Sequence, residues 1–190
     1  SSTELSGLNQ YFTDFDPGSK RYVQGGASIV TKLDLSKFYD YIDTLTNVIV
    51  NSAELEITEV EAPSDLIAPP ALSLSMLRSN NRHTALSSKQ DSLTYVAFNG
   101  MLTLSDQSKF FAAHGAGSIV TIGHSTTTNT YSALPTLFVQ KLIDLKSTRY
   151  PYWALRPLNP QPGKSVHRTV FPKDNIKLKI YYTRATLENQ

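Results

Sequence analysis

The fold is decided by the stretch VIVNSAELEITEV, residues 48–60, in which apolar and polar side chains alternate from Ala53 onward. One set of alternate positions is apolar, namely Ala53, Leu55 and Ile57. The other set is polar and includes Glu54 and Glu56. A repeat of two residues predicts a β-strand with one face in the core and the other in water.

A second alternating stretch, NIKLKIYYT, lies near the other end of the chain at residues 175–183. Its polar face carries Lys177 and Lys179, whereas the polar face of the first strand carries Glu54 and Glu56. Opposite charges on adjacent strands favour one register through cross-strand pairs. We therefore predict that the two strands are neighbours at the centre of a β-sheet.

The composition is that of one folded domain with a substantial core. The chain has 190 residues, of which 40% are hydrophobic and 18% are charged. The net charge is +2, and the lysines and arginines are scattered among acids. A nucleic-acid-binding protein would show a basic stripe instead. We predict a single domain over residues 1–190, loosely ordered at residues 1–10, without a nucleic-acid partner.

Cysteine is absent from the sequence. Its absence excludes a disulfide scaffold, a cysteine nucleophile and a thiolate metal site. No apolar run in the sequence approaches the length that spans a bilayer.

Two short helices are predicted. Ser36 is the expected N-cap of the first, which should cover an open end of the sandwich. Its apolar stripe at helical spacing is Phe38, Tyr41, Ile42 and Leu45. The second helix is expected over residues 134–145, where Pro135 suits the first turn. Its stripe is Leu134, Leu137, Phe138, Leu142 and Leu145.

The rest of the chain has the pattern of short strands separated by turns. Asn99-Gly100 between two apolar runs is typical of a β-hairpin. The other strands are expected at residues 21–30 with a break at Gly25-Gly26, and at residues 72–77, 93–98, 101–104, 118–123, 150–155 and 166–171. About eight to ten strands with two small helices predict an all-β fold, a jelly-roll β-sandwich with one or two short helices.

Two patterns together resemble a known family. The first is YVQGGASIVTKLDL (residues 22–35) followed by a helix and VNSAELEI, and the second is HRTVF (residues 167–171) followed by IKLKIYYT. Across residues 22–183 the chain resembles an uncharacterised family of Bacteroidetes surface lipoproteins, a domain of unknown function. The NSAEL strand is also similar to the first strand of jelly-roll domains of the growth-factor-propeptide and carbohydrate-binding types.

The resemblance implies a cellular location for the protein but no activity. It implies a location in the cell envelope, at the outer surface or secreted. It also implies a lipid anchor upstream of Ser1, so that the membrane is contacted only through that anchor.

Motifs for catalysis or metal binding are weak. The four histidines, His83, His114, His124 and His167, form none of the short-spaced pairs of a metal site. Ser125 lacks the glycine two residues later that a nucleophile elbow requires. Asp14 and Asp16 precede Pro17-Gly18 without the further oxygen ligands of a calcium loop, which favours a plain turn.

The paired acids Glu54 and Glu56 do not match a glycosidase. Their spacing places them side by side on the water-facing side of one strand, whereas a glycosidase holds two carboxyl groups across a cleft. We therefore predict no catalytic residue, no metal and no cofactor.

An aromatic cluster is the candidate ligand site. Tyr150, Tyr152 and Trp153 surround Pro151, close to Arg149 and Arg156. Exposed aromatic rings beside hydrogen-bond donors can stack on the face of a sugar or anchor a protein partner. The alternative is that Trp153, the only tryptophan, is buried in the core, which is common for large aromatic residues.

These patterns favour a non-catalytic surface or secreted protein with an adhesive, glycan-binding or structural role. Its partner would be a glycan or a surface protein. One alternative is a glycan-acting hydrolase whose site is assembled from distant residues. A deep pocket joining two acids of raised pKa would favour the hydrolase, and a flat or convex surface would favour binding. The other alternative is a scaffold subunit that pairs through an exposed sheet edge.

Overall fold

The computed structural model describes residues 14, 16–25, 29–62, 67–77, 79, 81, 121–144, 151–158 and 167–184. In chain order its strands are β1 (Lys20–Gln24), β2 (Thr31–Asp34), β3 (Val48–Ile57), β4 (Ala71–Leu77), β5 (Thr121–Ser125), β6 (Thr130–Ala133), β7 (Tyr152–Pro157), β8 (Arg168–Pro172) and β9 (Ile176–Arg184). The helices are α1 (Ser36–Asp43) and α2 (Thr136–Asp144), and a 3-10 turn spans Lys173–Asn175. The expected hairpin at Asn99-Gly100 and residues 1–10 lie outside the described residues.

The strands form two antiparallel sheets. Seven of them make one curled sheet in the order β2-β7-β4-β5-β6-β3-β9, and β1 pairs with β8 as a two-stranded ribbon. This arrangement confirms the all-β fold of jelly-roll sandwich type with two short helices. Among the described strands, β2 and β9 are the two edges of the large sheet.

The predicted pairing of the two alternating strands is confirmed. Glu54 of β3 lies opposite Lys179 of β9, and Glu56 lies opposite Lys177. The Lys179 ammonium group reaches diagonally to Glu56 Oε2 at 3.0 Å. Both side chains are partly exposed, so the pair favours this register more than it adds stability. The expectation that both strands are central is not met by β9, which is an edge strand among the described strands because it pairs there with β3 alone.

A β-bulge divides β3 into two halves. Val50 lies opposite Tyr182 and Ser52 lies opposite Tyr181, so Asn51 is an extra residue in β3. Val50 before the bulge and Ala53 after it are both buried, although they are three positions apart. The bulge shifts the alternation by one residue. This shift explains why the regular pattern in the sequence begins at Ala53.

Side chains of α2 take the place of a neighbouring strand along the first half of β3. The partner strand β6 pairs with β3 only at Leu55–Ile57. Upstream of that point, the Val50 N–H donates to Gln140 Oε1 at 2.6 Å and the Ala53 N–H donates to Thr136 Oγ1 at 3.0 Å. Gln140 Nε2 donates in turn to the Val48 carbonyl at 3.2 Å. Backbone groups that β6 leaves without a partner are therefore satisfied by the helix.

One hydrophobic cluster connects both sheets and both helices. Val23 of β1 and Phe171 of β8 pack in the same cluster as Leu55, Ile42 of α1 and Phe138 of α2. The ribbon is therefore packed against the large sheet through a continuous apolar core.

Both predicted helices exist, and each predicted stripe is only partly buried: Ile42, Leu45, Phe138 and Leu142 are in the core, whereas Tyr41, Leu134 and Leu137 are exposed. Ser36 is the first residue of α1 rather than its N-cap, and its N–H donates to Asp34 Oδ1 at 2.9 Å. Tyr39 and Ile42 are buried, whereas Tyr41 is 44% exposed. The buried face of α2 is Phe138, Val139, Leu142 and Ile143. In such short helices an apolar stripe shifted by one position is nearly as apolar, so packing decides which face is buried.

Two strands differ from the sequence-based expectation. β6 is a strand that the sequence pattern does not predict, and it forms a hairpin with β5. The turn between them ends at Asn129, whose φ of 49° lies in the left-handed region that asparagine tolerates. β7 continues to Pro157, two residues beyond the expected end of the strand at residue 155, and Pro157 lies opposite Leu72 of β4.

Candidate ligand-binding cleft

A cleft of about 830 Å³ opens between the two edges of the curled sheet. One wall comes from β2 and the start of α1, and the other comes from β9 and the 3-10 turn before it. In the described part of the chain, β2 pairs only with β7, and β9 pairs only with β3. The curl of the sheet thus brings its two unpaired edges to the same opening. The volume falls in the range of small-molecule sites.

Apolar side chains form the floor and walls of the cleft, and polar atoms contribute nearly half of its exposed lining. Leu55 and Trp153 are almost completely buried and form its floor. The walls are apolar side chains that remain partly exposed, namely Leu33, Ile176, Leu178 and Ile180. They stay partly exposed because the strands that carry them are sheet edges. Contiguous apolar surface of this kind is what a ligand or partner can cover.

The rim of the cleft carries more positive than negative charge. Its charged residues are Arg21, Lys32, Lys37 and Lys173, with Asp34 and Asp174 as the acids. The Lys32 ammonium lies 3.0 Å from Asp14 Oδ2 and 4.0 Å from the ring centre of Tyr152. Among the residues that the structure describes, Lys37 and Lys173 form no ion pair within 4 Å, and Lys37 acts on Asp34 at longer range.

Two carboxyl groups are held in the ionised form, namely Asp34 at the rim and Asp14, which pairs with Lys32. The Ser36 backbone N–H, which donates to Asp34, keeps the pKa of Asp34 below its usual value. The hydrogen bond from Lys32 likewise lowers the pKa of Asp14. A general acid of a glycosidase needs the opposite shift, because it must carry a proton near neutral pH.

A tyrosine pair connects the two walls of the cleft. The side chains of Tyr41 on α1 and Tyr182 on β9 are hydrogen-bonded to each other. This contact raises the pKa of Tyr41 and lowers the pKa of Tyr182, which Arg184 lowers further. Because Tyr41 lines the cleft, the pair ties α1 to β9 next to Ile180.

The aromatic cluster predicted as the ligand site is split between two faces of β7. Trp153 is only 4% exposed, and its ring packs against Phe38 and Phe138 at centroid distances of 6.4 and 5.5 Å. Tyr152 points to the other face, beneath Lys32, as alternation along a strand requires. Arg156 is partly buried, and Arg149 and Tyr150 lie outside the described residues. Trp153 is therefore buried, as the alternative interpretation of the aromatic cluster predicts. Its ring also lines the cleft.

Most of the cleft was not predicted as a site from the sequence. The alternating pattern correctly identifies the apolar face of β9 but assigns it to the core. Arg21, Lys37 and Lys173 are single cations far apart in the chain. No local motif links them, and only the tertiary fold brings β1, α1 and the 3-10 turn to one opening.

The remaining sequence candidates lie away from the cleft. The Gly18 N–H donates to Asp16 Oδ1 at 3.0 Å, which is the plain turn that the sequence favours. His124 stacks on Tyr131 with ring centroids 4.6 Å apart, and burial lowers the pKa of His124. His167 precedes β8, and His83 and His114 lie outside the described residues. Among described side chains, no group of three histidines or acids is placed to hold a metal ion.

No helix within the described ranges is both long enough and apolar enough to cross a membrane. Comparisons of the chain with known protein families, with curated proteins and with solved structures give no significant match.

Proposed function

We propose that the chain is a non-catalytic binding module of the bacterial cell surface or of a secreted protein, and that the cleft between β2 and β9 is its ligand site. The observation that carries the proposal is the convergence of partly exposed apolar side chains from both sheet edges on one opening. Sheet edges without a partner in the described ranges and uncovered apolar side chains are both costly features, and a ligand seated between these edges would cover the apolar surface.

The charges around the cleft support binding over hydrolysis. The opening is concave rather than flat, so its shape alone would also suit an enzyme. However, Asp34 is held ionised by the Ser36 N–H, and a glycan-acting hydrolase requires one carboxyl group of raised pKa facing another. Asp34 therefore suits a role as a fixed charge at the rim.

The proposal is tested with a ligand panel and two variants. The panel contains oligosaccharides on a glycan array, peptides and amphiphiles, and binding is quantified by the shift in melting temperature. Leu178→Gln makes one wall of the cleft polar, and Ile49→Gln makes the same kind of change at a site that is 61% exposed and outside the cleft. Circular dichroism checks that both variants are folded.

We expect a ligand of the unmodified protein to bind Ile49→Gln equally well and Leu178→Gln about tenfold more weakly, which corresponds to roughly 1.4 kcal/mol of lost apolar contact. Equal binding to all three proteins would place the site elsewhere. If no compound of the panel binds, the binding module is contradicted and a scaffold role is favoured. Concentration-dependent self-association would then support the scaffold role.

A further inference from the structure

We infer that the cleft takes a single-chain amphiphilic carboxylate, with its hydrocarbon tail on the apolar floor and its carboxylate at the cations of the rim. This inference rests on the proposed function and specifies the chemical class of its ligand. It follows from three properties of the lining: its apolar floor and walls, the state of its hydroxyl groups and its charge balance.

The interior suits a hydrocarbon chain better than a sugar. Leucine and isoleucine side chains from β2, β3 and β9 line it, with the Trp153 ring at the floor. The hydroxyl groups on this lining are already engaged, because Thr31 Oγ1 donates to the Tyr22 carbonyl at 2.9 Å and the Tyr41 hydroxyl bonds Tyr182. A sugar seated on the floor would place hydroxyl groups against apolar walls, away from the charged side chains of the rim, and unpaired polar groups cost binding energy.

The charged side chains at the rim leave an excess of positive charge that one anion would balance. Lys32 is paired with Asp14. The cations that remain are Arg21 of β1, Lys37 of α1 and Lys173 of the 3-10 turn, against Asp34 and Asp174, which gives 3 − 2 = +1. The Nη1 atom of Arg21 donates to the carbonyl oxygens of Gly18 and Lys20. These contacts fix the side chain, but the carbonyl groups are neutral and leave its positive charge unbalanced. One carboxylate would balance this charge at the open side of the cleft while the tail enters it.

The ligand can be tested through the chain's own fluorescence. Trp153 is the only tryptophan and lies on the floor of the cleft. The probe is 12-bromododecanoate, used below the concentration at which it forms micelles, because a bromine atom quenches tryptophan emission only at short range. We expect saturable quenching, and we expect shorter bromoalkanoates to bind about fourfold more weakly for each methylene removed from the buried tail.

Two lysine variants test the position of the carboxylate. Lys37→Gln and Lys173→Gln should each weaken binding of the probe by about threefold to tenfold, because each removes a cation from the rim. Lys177→Gln is the matched control, since it makes the same charge change on the exposed face of β9 outside the cleft. Its affinity should stay that of the unmodified protein. The brominated alcohol of equal length should bind at least tenfold more weakly than the carboxylate.

Four outcomes would overturn the inference. They are the absence of quenching, equal affinity for alcohol and carboxylate, equal effects of all three lysine variants, and binding to anionic phospholipid vesicles without quenching by the monomeric probe. The last would assign the rim to a membrane surface. If another compound, such as an oligosaccharide, binds and is weakened by Leu178→Gln, the ligand class inferred here is wrong and the proposed binding module stands.

Discussion

At the scale of single residues, Tyr131 shows how a buried polar group is satisfied in this core. Its side chain is completely buried, and its hydroxyl donates to the Pro69 carbonyl at 2.6 Å. Burial raises the pKa of Tyr131 well above its usual value, so the hydroxyl remains protonated and can donate throughout the physiological range.

We predict that Tyr131→Phe lowers the free energy of unfolding by about 1–3 kcal/mol, because it leaves the Pro69 carbonyl without its partner in a buried site. The control is Tyr181→Phe, which removes a hydroxyl from a side chain that is 51% exposed. Urea denaturation of both variants measures the difference. Equal stability of the two variants would mean that the hydrogen bond to Pro69 contributes nothing net.

His124 makes the stability of the fold depend on pH. Burial lowers the pKa of His124 below its ordinary value of 6.5, so the folded chain prefers the neutral ring. Below pH 6.5 the unfolded chain binds this proton first, and stability is lost as the pH falls toward the folded pKa. The carboxyl groups of Asp14 and Asp34, whose pKa values lie below 3.8, act at lower pH.

We therefore predict that His124→Phe, which keeps a ring against Tyr131, flattens the fall in stability between about pH 7 and pH 5. The measurement is the urea midpoint at several pH values for both proteins. The other histidines are common to both, so the difference between the two curves isolates His124. Parallel curves would assign the pH dependence to those other groups.

At the scale of elements, Gln140 joins α2 to β3. We predict that Gln140→Leu destabilises the chain by about 1–3 kcal/mol, because the Val50 N–H and the Val48 carbonyl both lose a partner. Leu137→Gln on the same helix, at a position that is 53% exposed, should change stability by less than about 0.5 kcal/mol. Thermal unfolding of both variants gives the comparison. A larger effect of Leu137→Gln would contradict this account of how α2 docks.

The sequence predicts best those elements whose own residues alternate regularly between apolar and polar. The alternation and the opposite charges of β3 and β9 are sufficient for their pairing and register. The short β6 strand is missed because Tyr131 is its one large apolar side chain, and a single apolar residue gives no periodicity. The face of α1 is misassigned because Tyr39 and Tyr41 are equally apolar in the sequence, and only packing against the sheet distinguishes them.

At the scale of the whole molecule, the ribbon of β1 and β8 and the large sheet share one core. We predict that Phe171→Ala destabilises the chain by about 3–5 kcal/mol, since the ring is fully buried in that common cluster. We also predict that the loss is cooperative. Trp153 fluorescence, which reports on the large sheet, and far-ultraviolet circular dichroism should then give the same midpoint. Separate transitions would show that the ribbon unfolds on its own.

The cleft is also a property of the whole molecule. For that reason, no local pattern in the sequence predicts it. Its walls are the first and last strands in the order of the large sheet, yet β2 and β9 are more than a hundred residues apart in the chain. Strand order depends on connections and curl, and neither leaves a periodic signal. The sequence therefore predicts the apolar inner face of β9 but not that of β2, nor the opening between them.

The replacement of a strand partner by α2 has a consequence for how the chain behaves when it is damaged. The first half of β3 is an extended segment with apolar residues at Val48, Ile49 and Val50, and the Gln140 and Thr136 side chains occupy its hydrogen-bonding edge. If α2 undocks, that edge becomes a template on which another chain can add a strand. Docked α2 therefore protects this edge of β3 from aggregation. Variants that weaken the docking of α2 on β3 should form aggregates before the rest of the sheet unfolds.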